Sequence, residues 1–565
     1  MKPLTPKVRD RKFSLKQLIG TNLGTLLLAI LLTTAFVMAP AVINVYLDDL
    51  PATASFVLKG DGTNYWAVRY DGYKLSEVTS FKTLMGTVQT TLPNGGVIRL
   101  ADHTTFSTDP FAITANHITL EGGGWHSIIK LKDSAPTPLG AGYNAGIQID
   151  ADYVTLRNFK FDFNYRTHGV HSGIEYGIST GRTGMSSDRH DFVTDMIEVY
   201  DFWANGIHLG GHHYPTPDRF GYDMTVEGCY IHKSNNPAIP GNGSNGIAAY
   251  YAYRIRILHN TIDEVQEIGM DFYSMTSELL IDGNIFKKGS YNYTAISLER
   301  CSKTTAVNNI IETGSRAIYI SQEGLVAGTM SANASSGQKN IVLSSGHGTY
   351  FTEEEYVYIY DNNNWEVGQL DSISGNTLTM HENLRHNYTT AASGKVGHAQ
   401  IDVIVDNNQC RGNRDIGTDS HGIMLYCTAG NFMVDVKVTN NIIERFGTAA
   451  IAKSGISAYT GTNAQNLLIS GNTIRYCTEE GIYSQTSYAE ISSNVCYENT
   501  NSGIKTFGDK NRIFSNKCNR NGIYGINLVS GADYNEVLLN ECLNNVSTQI
   551  FDNGTGNDLA HNIIT

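Results

Sequence analysis

The stretch Leu467–Asn545 reads in one register as four segments: LLISGNTIRYC from Leu467, AEISSNVCYEN from Ala489, NRIFSNKCNRN from Asn511 and NEVLLNECLNN from Asn535. Asparagine returns at Asn472, Asn494, Asn516 and Asn540, a period of about twenty-two residues. An apolar residue three positions earlier, Ile469, Ile491, Ile513 or Val537, alternates with its neighbours. After each Asn comes a turn and then a second strand signature, EGIYSQ, SGIKTF or YGINLV. Periods of this length mark stacked supersecondary units, none of which buries its apolar face alone. Three short strands and three turns use up ~22 residues at ~3.3 Å each, which is one coil of a parallel β-helix.

The same frame runs back through most of the chain. It fits Asn260 (HNTI), Asn284 (GNIF), Asn309 and Asn441 (both NNII), Asn408 (DNNQC) and Asn158 (LRNFKF), and it closes at Asn562 (HNIIT). Cys229 and Asp195 are expected where Asn would otherwise stand. Stacked Asn side chains at a bend satisfy amides that the turn leaves unpaired. These repeats resemble the right-handed parallel β-helix proteins of the pectin lyase-like superfamily over about Asn94 to Thr565. The resemblance implies an all-β solenoid. It leaves function open, because that superfamily includes polysaccharide lyases, polygalacturonases, mannuronan epimerases and phage tailspikes.

The 565 residues carry 56 Gly, 12 Pro and a net charge of −13. Many tight turns and few helices fit that composition. The charge argues against nucleic acid as a partner, and a polyanionic sugar would need local basic residues. A basic segment (1–22, with Lys2, Lys7, Arg9, Arg11, Lys12 and Lys16) precedes an uncharged run from Leu23 to Ile43. That run has the length of a membrane span, so residues 23–45 read as an anchor or signal segment. The flanking charge predicts a cytoplasmic N-terminus and a body outside the cytoplasm, at the cell or virion surface, or secreted if Ala39-Pro40-Ala41 is cleaved. Cys496, Cys518 and Cys542 each follow a frame Asn by two residues, which predicts a buried column rather than a metal site. No cofactor is expected, and calcium has no motif here. Six N-x-S/T sequons, among them Asn545, are what an Asn-rich chain generates by chance.

Taken in order, residues 46–93 read as a stalk and an N-terminal cap, with a helix over Ser80 to Thr91. Residues 94–324 read as coils with long loops, 325–400 as an inserted small β-barrel or sandwich module, and 401–565 as further coils. Loops on a solenoid gather on one face, and that face usually binds. Surplus loop length between Asn158 and Asn260 marks such a face. The loop histidines His168, His171, His212 and His213, with Glu175, read as solvated rather than metal-binding.

The Gly-Ile strands supply the candidate site. Ile207, Ile247, Met270, Ile296, Ile318 and Ile423 should point inward, so period two turns their neighbours outward. One outward column is His208, Ala248, Asp271, Ser297, Tyr319 and Met424. The next is Gly210, Tyr250, Tyr273, Glu299, Ser321 and Tyr426, with Tyr459 beyond. Asp271 and Glu299 are the only acids in this strip. One coil (~4.8 Å) and two residues (~6.6 Å) apart gives roughly 8 Å, the spacing of inverting glycoside hydrolysis. Tyr250, Tyr273 and Tyr426 offer flat faces for sugar rings, and Arg254 or Arg300 would neutralise a sugar carboxylate. His208 and Tyr250 near Asp271 would instead suit proton abstraction from a uronate. Exposed strands carry such residues without catalysis, so the strip also fits a plain surface. Family signatures are missing: the DPHE motif of the epimerases, the paired Asp of polygalacturonases on a coil, and the Arg-x-x-Arg-x-Pro of pectate lyases. Two readings follow: a carbohydrate-binding or -processing β-helix, or a non-catalytic surface spike. A homotrimer is compatible with either and demanded by neither.

Overall fold

A computed structural model of the chain describes residues 56–565, apart from 76, 135–138, 140–144, 169–173, 182–186, 212–219, 235–243, 274, 288–293, 323–324, 414–420, 449–450 and 462. The basic segment at 1–22 and the apolar run at 23–45 lie outside the described residues. Among the described residues no helix is long and apolar enough to cross a membrane.

Among the described residues, successive coils lay their strands into three sheets of 18, 15 and 14 strands, parallel throughout except for the hairpin that opens the first. Ile469, Ile491, Ile513 and Val537 stack in register in the first sheet. Ile474, Cys496 and Cys518 stack in the second. Ile482, Ile504 and Ile526 stack in the third. All of these side chains are fully buried, so the core is a set of aliphatic columns running along the axis. Cys496, Cys518 and Cys542 are free and buried in one such column, as expected.

The asparagines form a continuous ladder from Asn260 to Asn562. Asn472 donates its backbone N–H and its Nδ2 to Asn494 Oδ1, each at 3.0 Å. Asn494 repeats both bonds to Asn516, and Asn516 repeats them to Asn540. Each Nδ2 also donates to a carbonyl inside the coil, for example Asn472 to Val438 at 2.8 Å. Cys229 stands at the top of the column and gives its N–H to Asn260 Oδ1. Two further ladders escaped the sequence reading: Asn499–Asn521–Asn545 and Asn511–Asn535–Asn557, at the other bends. The sequon at Asn545 is therefore a buried rung rather than a glycan acceptor.

Two expectations for this column are corrected. The residue before each rung adopts a left-handed backbone, as at Asn308, Asn407 and Asn440. Asn158 is one of these left-handed residues, φ 60°, and the rung position beside it is Phe159. Asp195 closes the strand Phe192–Asp195, Met196 takes the left-handed turn, and the rung position is Ile197. The doublet Asn-Asn has a physical basis here, since Asn tolerates the left-handed turn and also makes the rung.

The helix Phe81–Thr90 begins where Ser80 Oγ accepts the Thr83 N–H. It buries Phe81, Leu84, Met85 and Val88 against Phe106 and Phe111 at the first coil. Before it, Phe56–Gly60 and Tyr65–Arg69 form an antiparallel hairpin whose first strand pairs in parallel with Gly96–Leu100. Between Gly328 and Ile401 the coil repeat gives way to antiparallel strands. Alternation in Tyr356–Tyr360 sends Val357 and Ile359 into a cluster with Ile341, Leu370, Leu378 and Val396. The opposite side of the strand puts Tyr358 on Phe432, ring centroids 3.8 Å apart. Lys395–Ile401 then pairs in parallel with Asn431–Val434, so this sheet is stitched into the next coils. The whole stretch belongs to the same compact unit as the solenoid.

Rung truncation gives a direct test of the ladder. Asn494→Ala strands the buried Asn472 N–H and the Ile469 carbonyl, each worth about 1–3 kcal/mol when left unpaired. We expect a loss of about 3 kcal/mol in chemical denaturation, against under about 0.5 kcal/mol for Asn363→Ala in an exposed turn. Equal losses for the two variants would show that the ladder does not hold the coils.

Candidate functional site

The third sheet carries the strip that the Gly-Ile pattern picks out. Its strands Asn205–Gly210, Asn245–Tyr250, Ile268–Tyr273, Thr294–Glu299, Ile318–Gln322 and Ile423–Cys427 are neighbours in that order. Register aligns His208, Ala248, Asp271, Ser297, Tyr319 and Met424 in one row. Gly210, Tyr250, Tyr273, Glu299, Ser321, Tyr426 and Tyr459 form the second. Both rows match the expectation, but the degree of burial does not. His208, Ser297 and Tyr319 are buried and Asp271 is only 9% exposed, although this row faces away from the coil interior. The second row is more open: Tyr250, Tyr273, Glu299 and Tyr426 are half-buried.

Asp271 is the centre of this arrangement. Its Oδ2 accepts from Tyr250 Oη at 2.9 Å and from Asn245 Nδ2 at 3.0 Å. Burial, followed by the charge of Glu299, pushes its carboxyl up to about 7, against the pull of the Tyr250 hydrogen bond. The group is thus poised to carry or release a proton near neutrality. Burial and the neighbouring Asp271 charge push the Tyr250 phenol well above its ordinary range, so Tyr250 stays a donor. Glu299 lies on the adjacent strand, two residues along, and accepts from Ser297 Oγ at 3.1 Å. The guanidinium of Arg300 lies over the Tyr273 ring at 5.0 Å, and Tyr273 meets Tyr250 edge-on at 6.0 Å.

His208 sits deeper. Its ring stacks on Tyr176 at 4.7 Å and meets Tyr250 edge-on at 5.2 Å, while Nδ1 lies 3.0 Å from Ser179 Oγ. With no exposed surface it packs behind Tyr250 rather than facing a substrate. Arg254 is a correction: it lies on the strand Ala252–Leu258 in the first sheet and pairs with Asp223 through two bonds of 2.6 and 2.7 Å. The strand leaves the third sheet at Tyr251, whose left-handed turn carries the following residues onto another face. Asn245 was missed by sequence reasoning. The repeated Asn-Gly-Ile of NGIHLG and NGIAAY, which pairs Asn205 with Asn245, was the available signal.

Farther along the same sheet an aromatic run continues. Tyr459 and Tyr483 lie 5.0 Å apart and Tyr483 and Phe507 5.3 Å apart, with the Lys505 amine within 6 Å of both latter rings. Among the described residues no group of three or more His, Cys, Asp or Glu side chains is placed to hold a metal. His168, His171, His212 and His213 lie outside the described side chains.

Coils of three parallel strands, stacked rungs at the bends and a continuous aliphatic interior define a right-handed parallel β-helix. The family model described as "Right handed beta helix region" matches residues 145–340 and 435–565, more than half of the chain, and the chain belongs to that family. No curated protein matches it in sequence. Among solved structures it is similar to the A-module of the Azotobacter vinelandii mannuronan C-5 epimerase AlgE6, at 11% identity and a TM-score of 0.41 over 86% of this chain and 94% of that one. It is also similar to a double mutant of the tailspike protein of E. coli bacteriophage HK620, at 11% identity and a TM-score of 0.43 over 84% and 74%. A third is PfbA, a surface adhesin of Streptococcus pneumoniae, at 12% identity and a TM-score of 0.36 over 81% and 87%.

The raised Asp271 carboxyl makes a stability prediction whose sign is fixed. The unfolded group ionises near 3.8 and the folded one near 7, so the folded state holds the extra proton between them. Stability from this group therefore falls as pH rises through that window and levels off above about 7. Wild-type Tm should drop between about pH 4 and pH 7, and Asp271→Asn should flatten that drop. A parallel decline in the variant would place the titration elsewhere.

Proposed function

We propose that the chain binds an extracellular polysaccharide along its third sheet and hydrolyses it, with Asp271 as proton donor and Glu299 as base. One observation carries the reading: two carboxyls on adjacent strands, one buried and hydrogen-bonded to Tyr250 and Asn245, the other half-buried, with burial and the charge of the second pushing the first up to about 7. Pairs of titratable groups pushed apart in this way mark acid and base roles. Their offset of one strand and two residues, roughly 8 Å, leaves room for a water between base and sugar, the inverting arrangement. Tyr250 and Asn245 fix the Asp271 carboxyl. His208 holds the Tyr250 ring from behind and is a positioning residue.

Tyr273 and Tyr426, and farther on Tyr459 and Tyr483, supply ring faces with polar tips along the helix axis, and Phe507 adds a purely apolar face. Such faces suit a chain of sugars lying lengthwise. Arg300 adds positive charge to a strip on an acidic protein, whereas the Lys505 amine is paired with Glu480 at 3.2 Å, so the reading extends to acidic sugars only at the Arg300 end. The basic and apolar N-terminal segments would place this body at a surface or outside the cell, anchored or cleaved.

The test incubates the purified protein with neutral and acidic polysaccharides and follows both reducing ends and unsaturated products. We expect reducing ends without the unsaturated chromophore. Asp271→Asn and Glu299→Gln should each lower kcat by ~10²–10⁴ with little change in KM. The rate should fall above about pH 7 as Asp271 loses its proton. Chromophore would mean elimination and transfer the chemistry to Tyr250. Full activity in Asp271→Asn would remove the acid–base reading altogether.

A further inference from the structure

The outer face of the second sheet carries an apolar stripe that the Asp271 site does not use. Its strands Ile285–Phe286, Ile310–Thr313, Gln409–Gly412, Ile442–Glu444, Thr473–Arg475 and Val495–Tyr497 are consecutive neighbours. Register puts Ile285, Ile310, Gln409, Ile442, Thr473 and Val495 in one row. The residue after each, from Phe286 to Cys496, is buried in the core, so alternation turns this row to solvent. Ile285 is 39% exposed, Ile310 49% and Ile442 42%. The row turns polar at both ends, at Thr261 and at Lys517.

An outward row on this scaffold need not be apolar. The first sheet's row over the later coils reads Lys437, Leu468, Glu490, Arg512 and Glu536, charged at every position but one. A contiguous apolar patch with polar ends marks an association surface.

The second outward row of the same strands identifies the occupant. Glu312, Arg411, Glu444 and Arg475 stand there in register, with alternating sign. Reversed, that row sets an acid against a base at every position. A two-fold axis lying along the strands, between Gln409–Gly412 and Ile442–Glu444, lays this sheet on that of a second copy whose coils run the opposite way. Glu312 then faces Arg475 of the second copy, and Arg411 faces its Glu444. The same axis sets Ile285 opposite Val495, Ile310 opposite Thr473 and Gln409 opposite Ile442. A two-fold along the coil axis would instead press the isoleucines onto the charged row, burying charge against apolar groups. Only the reversed arrangement is self-complementary in both rows, as an isologous interface requires.

Within one chain Glu444 accepts from Arg475 Nε at 2.8 Å and lies 3.7 Å from Arg411. These contacts leave the groups within a partner's reach, since the Arg411 and Arg475 side chains are 51% and 35% exposed and Glu312 is exposed. A guanidinium has five donors and a carboxylate about four acceptor sites, so bonds between copies add to those within each. The isoleucines supply the burial, and the charges set the orientation. Six strands ~4.8 Å apart and two outward rows cover roughly 29 Å by 15 Å, or ~900 Å² over both copies. That lies at the low end of specific interfaces and fits a reversible dimer.

We propose that the chain self-associates through its second sheet as an antiparallel two-fold dimer, with the Ile285–Val495 rows packed together and the Glu312–Arg475 rows in opposed register. The proposal is independent of the hydrolase reading, which concerns the third sheet.

Sedimentation equilibrium of the full chain in mild detergent tests it. A monomer–dimer equilibrium with Kd on the order of 10 μM is expected. Ile310→Asp and Ile442→Asp should each weaken it at least ~10-fold, since each buries a charge at the interface. Glu312→Arg and Arg475→Glu should each weaken it ~10-fold alone, because both ends then meet like charge. Mixed one to one, those two variants should associate like wild type, because each end again pairs an acid with a base. A wild-type chain that stays monomeric to ~1 mM, a hundred times that Kd, overturns the proposal. So does a dimer indifferent to both aspartates, or a mixture of folded charge variants that regains nothing. Should Arg475→Glu fail to fold, cross-linking decides. A short bismaleimide should join copies of the double variant Ile310→Cys, Thr473→Cys, and leave Ile310→Cys alone unjoined. The native cysteines are all buried, so equal cross-linking of the two variants would refute the register.

Discussion

A coil that turns three times in each circuit leaves amides and carbonyls at its bends that no sheet can pair, and in this protein asparagine pairs them. One Asn Oδ1 accepts both the N–H and the Nδ2 of the rung above, at 3.0 Å each for Asn472 on Asn494. Its own Nδ2 then reaches into the coil to a carbonyl. The geometry permits one axial spacing and one register, because a slip by one residue would put the carboxamide on the solvent side of the bend. Even the stretch between Asn309 and Asn408 obeys this. Ninety-nine residues separate them in sequence, yet the two ladder bonds are 3.0 and 2.9 Å. The antiparallel segment is thus accommodated without any change in how successive coils stack.

Locked register turns sequence neighbours one circuit apart into spatial neighbours. Asp271 and Glu299 are twenty-eight residues apart and yet electrostatically coupled, because the strands that carry them pair Tyr273 with Glu299 and Asp271 with Ser297. Shift either strand by one position and one of the two acids would enter the aliphatic interior. The fold and the candidate chemistry therefore depend on the same hydrogen bonds. Stability of the bends and placement of the carboxyls cannot be tuned independently.

This dependence also explains what a sequence reader can and cannot see. The solenoid was legible because the ladder needs one residue type at one position, and the outward rows followed from period two. Asn158 was misplaced by one residue because the left-handed position before a rung also favours Asn, and Asp195 by two because Met196 and Ile197 hold the turn and the rung there, so no Asn or Gly marks either position. Arg254 was assigned to the wrong face because a single left-handed residue, Tyr251, redirects the chain, and nothing in the letters of YAYRIRI announces that turn. Burial was the larger surprise. Strand alternation says which way a side chain points, and says nothing of how deeply it is covered.

That covering changes the chemistry available to the strip. On an open sheet face Asp271 would be a solvated carboxylate with an ordinary pKa, and Tyr250 a surface phenol. Enclosed, the same residues form a hydrogen-bonded unit in which desolvation outweighs the two donors that stabilise the charge. Glu299, one strand away and half-exposed, keeps its access to solvent and supplies the field that completes the shift. Asymmetry between two carboxyls on a repetitive scaffold thus comes from their unequal burial. The ladder fixes where the groups stand, and burial decides which of them holds the proton.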